Sequence, residues 1–218
     1  KTCGVWNSAE EIAANPHFSD DAPGGIRIVD TNNDGSLTPE DRVALGTPYP
    51  DFTWGITNTF QIKDFDISFL IQGVQGITVL NGDVYYNETK KWNKKYTKNR
   101  WVSAEHPGDG KTPYQNVKTG HDLMLTDYPL QNASYACLRN FTVGYTLPAT
   151  AARKIKLSGV RFYVSGSNLF YIWGSGYKGI NPESRMTSGD YSSAMISGYQ
   201  RGGFPLTSTI SAGFDINF

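Results

Sequence analysis

The sequence has little of what marks a nucleic-acid binder or a helical membrane protein. Its 218 residues carry 20 basic and 20 acidic side chains, for a net charge of zero. This balance argues against nucleic acid as a partner, because such partners need a basic surface. No run approaches the ~18 consecutive apolar residues of a membrane-spanning helix. The given sequence does not open on a secretory signal, as we would expect for the tail of a longer chain.

The sequence also lacks an arrangement of residues suited to catalysis. The histidines His17, His106 and His121 lie in segments that we interpret as loops, with no nucleophile or metal-ligand spacing around them. Cys3 and Cys137 match no metal or redox spacing, and whether they pair is left open. No pair of carboxylates stands out for glycoside hydrolysis. We therefore do not expect an enzyme.

What the sequence does have is alternation of apolar and polar side chains with a period of two. Over 52–62 and 206–218, apolar residues, most of them large, occupy the even positions, Asn58 and Ser208 excepted, and small or polar residues occupy the odd ones. Successive side chains of a strand point to opposite faces, so these segments are amphipathic strands. Phe, Trp and Ile opposed to Thr, Ser and Gly favour a face in lipid over the buried face of a soluble β-sandwich.

The alternation predicts an all-β fold formed by the last strands of a large transmembrane antiparallel β-barrel. Short connections alternate with long ones, which is typical of the short periplasmic turns and long extracellular loops of outer-membrane barrels. With the C-terminus in the periplasm, the long connections and residues 1–49 are extracellular. Five strands cannot close a barrel, because the smallest have about eight. The predicted strands are 50–62, 65–75, 133–147, 159–170 and 204–218.

One charged residue interrupts this pattern. In 133–147 we assign Cys137, Phe141, Val143 and Tyr145 to the apolar side, and Arg139 falls on that side as well. A lipid-facing arginine at the bilayer midplane costs ~2–4 kcal/mol. The sequence therefore predicts a β-bulge at Arg139, or a position above the lipid.

Residues 30–41 follow the template of a calcium-binding loop. Oxygen-bearing side chains stand at loop positions 1, 3 and 5, and Gly35 stands at position 6, where the template turns sharply. The closing residue is Asp instead of the longer Glu, which favours weaker binding or the smaller Mg²⁺. A turn that holds no ion is the alternative. We predict a structural Ca²⁺ or Mg²⁺ site formed by Asp30, Asn32, Asp34, Ser36 and Asp41.

The long connection 76–132 is rich in aromatic residues among lysines. Exposed aromatic rings stack on sugars or bind protein partners, whereas buried ones would pack the loop against itself. We keep both interpretations. The candidate contacts to substrate or partner are Tyr85, Tyr86, Trp92, Tyr96 and Trp101.

An ordered series of motifs resembles the SusC/RagA family of TonB-dependent transporters of Bacteroidota. The motifs are Asp30 to Gly35, Asp41-Arg42, Leu45 to Phe52, Arg100-Trp101, Leu138 to Pro148, Ser167 to Phe170, Asn181-Pro182-Glu183 and the terminal Phe218. Asn181 stands where many members have Asp. The resemblance extends over essentially the whole chain.

The resemblance implies a barrel of roughly 22 strands plugged by an N-terminal domain that this chain lacks. It also implies import of oligosaccharides or oligopeptides, energy supplied through TonB, a SusD-like surface lipoprotein as a lid, and a dimer of such pairs. The alternative from the residues alone is a secreted carbohydrate-binding β-domain braced by calcium.

Overall fold

The computed structural model describes residues 1–83, 98–114, 125–184 and 198–218. The fold is all-β and antiparallel in its main sheet, with 42% of the described residues in strands and 9% in helices, as the alternation predicts. The described strands are β1 (Thr2–Val5), β2 (Ile26–Ile28), β3 (Phe52–Ile62), β4 (Phe65–Gln75), β5 (Thr78–Asn81), β6 (Leu130–Asn132), β7 (Tyr135–Thr146), β8 (Gly159–Trp173), β9 (Tyr199–Gln200) and β10 (Thr209–Asn217).

The main sheet contains five strands in the order β10-β8-β7-β4-β3. Every neighbouring pair is antiparallel, and the sheet is open at β3 and at β10. Its strands are 9 to 15 residues long, and ~9–11 residues suffice to cross a bilayer at the tilt of a barrel strand. The sheet is therefore tall enough to span a membrane but does not close.

Two strand boundaries differ by more than two residues from the segments expected from the sequence. Strand β10 begins at Thr209, whereas the expected segment begins at 204. Regular pairing with β8 starts only at Thr209, opposite Ser167, because the next residue of β8, Asn168, has a left-handed backbone at φ 54° that interrupts the ladder. Strand β8 continues to Trp173, three residues beyond the expected end, because Phe170, Tyr171 and Ile172 still pair with β7.

Short connections lie at one end of the main sheet. Lys63 and Asp64 join β3 to β4, with Lys63 in the left-handed region at φ 53°. Residues 147–158 join β7 to β8 and contain the expected helical turn, α2 (Ala149–Lys154), which follows α1 (Ala9–Ala13) in the chain. Among the described residues, no helix has the length and apolar character to cross a membrane.

The longer connections leave the opposite end of the sheet, and parts of them form two further small sheets. Strands β1 and β2 pair, and Val5 and Ile26 bury their side chains against Trp101. Strands β6, β5 and β9 form a three-stranded sheet that we call the loop sheet. In it β5 pairs antiparallel with β6 and parallel with β9. Neither small sheet is expected from the alternation.

Candidate functional site

The main sheet has one continuous apolar face. Residues paired directly across neighbouring antiparallel strands project on the same side. The register aligns Phe60, Ile67, Val143, Val164 and Ala212 in one such row. Val164 is 53% exposed and Ile210 is 73% exposed, so no other part of the described chain covers this face. A soluble β-sandwich would bury it in a core, whereas lipid would cover it in a membrane barrel.

The opposite face is polar and carries an ion-pair network near the short connections. Arg161 of β8 binds Asp66 of β4 through two bonds, Nη2 to Oδ2 at 2.7 Å and Nε to Oδ1 at 3.0 Å. Its Nη1 also contacts Asp215 Oδ2 at 3.3 Å. Charged groups that pair in this way are consistent with a face that lines a water-filled or protein-filled interior.

A glycine makes the Arg161–Asp66 pair geometrically feasible. Strand β7 lies between β4 and β8, and Gly144 occupies the point where the two side chains meet above it. A Cβ atom at Gly144 would overlap both Asp66 Oδ1 and the Arg161 guanidinium. The sequence did not point to this network, because its members lie far apart in the chain and meet only once the strand order is known.

The predicted bulge at Arg139 is confirmed. Leu138 pairs with Ile71 and Asn140 pairs with Leu70, so Arg139 has no partner in β4. The register between β7 and β8 shifts at the same point. The bulge turns Arg139 to the polar face, where its side chain contacts residues of β4 and β8.

The same bulge corrects the assignment of Cys137. We expected Cys137 to share the apolar side with Phe141, but the structure pairs it with Gln72 and Tyr171, which lie on the polar face. An unpaired residue shifts the alternation by one position, so Leu138 takes the apolar side instead. Cys137 is only 1% exposed, Cys3 is exposed, and both are free thiols.

Arg139 is the centre of the richest polar cluster on this face. It donates to Gln72 Oε1 at 3.3 Å, Asn168 Oδ1 at 2.8 Å, Tyr171 Oη at 3.0 Å and Glu183 Oε1 at 2.8 Å. We call these five residues the Arg139 cluster. Leu138-Arg139-Asn140, Ser167-Asn168 and Asn181-Pro182-Glu183 are separate motifs in the sequence, and the fold brings them together here.

In the calcium-type loop, the carboxylates accept hydrogen bonds from the loop's own backbone. Asp30 accepts from the N–H groups of Asn33 and Gly35 at 2.7 and 2.8 Å. Asp34 accepts from the Ser36 N–H at 2.8 Å, and Asn32 accepts from the Asp34 N–H at 3.0 Å. Among the described residues, no three His, Cys, Asp or Glu side chains lie close enough together to hold a metal ion. A Ca²⁺ or Mg²⁺ ion at this loop stays a prediction.

Asp41 closes the loop as a buried acceptor. Its Oδ2 accepts from the Thr38 N–H at 2.8 Å and its Oδ1 from the Thr31 N–H at 2.7 Å. Thr38 in turn caps the 3₁₀ turn Pro39–Asp41. The bonds from Thr38 and Thr31 favour the ionised carboxylate, so they hold the pKa of Asp41 below its usual range.

Of the candidate aromatic contacts, only Trp101 lies within the described residues. Its ring is 9% exposed and packs against Val5 and Ile26, and it meets Tyr114 edge to face at 6.0 Å. Its Nε1 donates to Asn7 Oδ1 at 3.2 Å. Trp101 therefore holds the outer segments together, and a role in substrate contact stays a prediction. Tyr85, Tyr86, Trp92 and Tyr96 lie outside the described residues.

The main sheet is open and antiparallel, with one apolar and one polar face. Sheets of this kind form the walls of membrane β-barrels, and this is the class of protein that the fold defines. Comparison with known proteins agrees. The chain is 29% identical over its whole length to TonB-dependent receptor P26 of Formosa agariphila, 22% of which it covers. Its identity to TonB-dependent receptor SusC of Bacteroides thetaiotaomicron is 26%, with 88% of the chain and 17% of SusC aligned.

Among solved structures, the chain resembles the RagAB peptide importer in its closed-closed state. The TM-score is 0.67 at 18% identity, with all of the chain and 22% of that protein covered. No family model matches the chain. These similarities support the SusC/RagA-like family of TonB-dependent transporters. It spans about a fifth of the length of the curated relatives that it matches.

Proposed function

We propose that this chain forms part of the barrel wall of an outer-membrane transporter that takes up nutrients and is energised through TonB. The observation that carries the proposal is the two-faced main sheet. Its apolar face is exposed or half-exposed across the five strands, and its polar face holds the Arg161–Asp66 pair. Lipid suits the first face and a polar interior suits the second. The names of the relatives support the same function.

The proposed arrangement puts the C-terminus in the periplasm and the long connections outside the cell. The support is that residues 1–51, 76–134 and 174–208 all attach to the same end of the sheet. The two short connections and Asn217 lie at the other end. This is the usual asymmetry of outer-membrane barrels.

For substrate and partner, we propose oligosaccharides or oligopeptides taken up with a SusD-like surface lipoprotein. A peptide importer among the structural neighbours and SusC among the sequence relatives support a nutrient of this size class. The lipoprotein would cover the outer connections, and two such pairs would associate as a dimer.

The membrane assignment is tested with the full-length protein in outer-membrane fractions. A folded barrel migrates faster in gels before heating than after it, and we expect this change for the intact protein. Recovery of the protein only as a soluble periplasmic species would overturn the proposal. Proteolysis of intact cells tests the orientation, since we expect cleavage within the long connections but not at residues 63–64.

The substrate and the partner are tested separately. A deletion strain grown on oligosaccharides or on oligopeptides as sole nutrient should lose growth on one of them. An affinity tag on the transporter should co-purify a surface lipoprotein. Normal growth of the deletion strain on both nutrients would contradict the proposed substrate classes, and a transporter purified without a lipoprotein would contradict the proposed partner.

A further inference from the structure

The Arg139 cluster joins the barrel wall to a segment that follows β8. Gln72 lies in β4, and Asn168 and Tyr171 lie in β8, so these three belong to the wall. Glu183 belongs to the connection beyond Trp173. Its Oε1 accepts from Arg139 Nη2 at 2.8 Å and from the Tyr171 hydroxyl at 2.9 Å. A segment of a long outer connection is therefore bonded to the polar face of the wall.

The other side of the same segment is bonded to the loop sheet. Gln200, in β9, donates from Nε2 to the carbonyl oxygens of Pro182 at 3.1 Å and Ser184 at 3.0 Å. Tyr177 donates its hydroxyl to Gln200 Oε1 at 2.8 Å. Gln200 and Tyr177 are both buried. Residues 181–184 thus lie between the wall and the loop sheet, with directional bonds to each.

The chemistry of the contact suits positioning better than simple burial. Two apolar side chains would cover the same surface without the cost of removing charges from water. A planar guanidinium bonded to several acceptors instead fixes both the distance and the orientation of the bonded segment relative to the wall. The bulge in β7 is what makes this contact available, because regular alternation would turn Arg139 to the apolar face.

We propose that Arg139 and Glu183 are positioning residues that hold residues 181–184 against the polar face of the wall and so keep the loop sheet over that face. Where the polar face lines the interior of a barrel, the held segment narrows the outer end of that interior. This consequence rests on the proposed function, but the contact and its test do not.

The test is amide hydrogen exchange, read by mass spectrometry, on the full-length transporter. The reporters are the Glu183 and Ser184 amides, whose acceptors are Asn181 Oδ1 and Asn181 O, at 2.9 and 3.1 Å. Glu183→Gln removes the negative charge and keeps the shape of the side chain. Arg139→Lys keeps the positive charge but removes the planar guanidinium with its several N–H donors. In both variants we expect exchange in residues 177–184 to rise by about tenfold, since a hydrogen bond to a charged group contributes this much or more.

The matched control is Glu11→Gln. Glu11 pairs with Arg27 at 2.9 Å with side-chain exposure close to that of the Arg139–Glu183 pair, but both residues belong to the N-terminal segment and not to the wall. We expect exchange in 177–184 to stay as in the wild type. Unchanged exchange in both cluster variants would overturn the proposal, and so would an equal rise in the control. Heat-modifiable migration of each variant reports separately on whether the barrel is folded. Failure of the positioning proposal is therefore distinguishable from failure of the proposed transport function.

Discussion

The apolar face gives a quantitative prediction, because neighbouring residues of one strand point to opposite sides. Val164 lies five residues from the start of β8. Five steps of ~3.3 Å along a strand tilted by ~45° raise it about 12 Å above that end. The apolar band of a membrane barrel is ~25 Å tall, so Val164 lies near its middle.

An arginine at this position should therefore meet the largest penalty that lipid imposes. We expect Val164→Arg to lower the free energy of unfolding by ~2–4 kcal/mol, the cost of arginine at the bilayer midplane. Ser165→Arg is the matched control, because Ser165 pairs with Thr142 and Ser211 on the polar face. There an arginine keeps polar surroundings, and we expect a change of less than about 1 kcal/mol.

The measurement is denaturant unfolding of the full-length protein in lipid vesicles, with the fraction of heat-modifiable protein as readout. A loss of ~2–4 kcal/mol in Val164→Arg corresponds to roughly 30- to 1,000-fold in the folding equilibrium. Equal destabilisation by both arginines, or none from Val164→Arg, would refute the assignment of this face to lipid.

Three further predictions concern single sites. Gly144→Ala should destabilise the barrel by about 1 kcal/mol in the same unfolding assay, because the new Cβ displaces the partly exposed Arg161–Asp66 pair. Gly55→Ala on the same face should cost less, because a Cβ there would make only ordinary van der Waals contacts, and equal costs for the two variants would contradict the argument. Because the pKa of Asp41 is lowered by folding, its contribution to loop stability is complete above the ordinary pKa of ~4 and is lost as the pH falls through the lowered value. Pepsin cleavage within 31–40 should therefore rise more steeply in the wild type than in Asp41→Asn as the pH is lowered, and identical pH profiles would contradict this. Calorimetric titration of the full-length protein with Ca²⁺ or Mg²⁺ should give heat that Asp30→Asn reduces, and an absence of heat in the wild type would show the metal prediction to be wrong.

The fold class was predictable from sequence because each long strand carries its own signal. A strand with one face in lipid must alternate along its whole length, so segments such as 52–62 need no knowledge of their neighbours. The bulge at Arg139 was predictable for a related reason, since a midplane arginine in lipid is too costly. The sequence did not predict which neighbouring residues of β7 lie on the same face as Arg139, because a local pattern does not say where the extra residue is inserted.

The polar contacts depend on pairings that the sequence does not carry. Arg161 and Asp66 occupy unremarkable polar positions in strands of different hairpins. Their proximity follows from β7 lying between them and from the absence of a side chain at Gly144. The loop sheet is harder still to predict, because its strands are only two to four residues long and offer no periodicity to read.

The loop sheet has a consequence for the order in which the chain folds. Strands β3 and β4 are joined by two residues, so their pairing needs little loss of chain freedom. The parallel pairing of β5 with β9 brings together parts of the chain some 119 positions apart, as does the nearby bond from the Gly202 N–H to Asp83. Contacts between distant residues form slowly, because the intervening chain must first be closed into a loop. During assembly the wall should therefore form ahead of its outer rim. For that interval Ile77 and Val79, which are buried in the finished protein, would be exposed at the growing end of the wall.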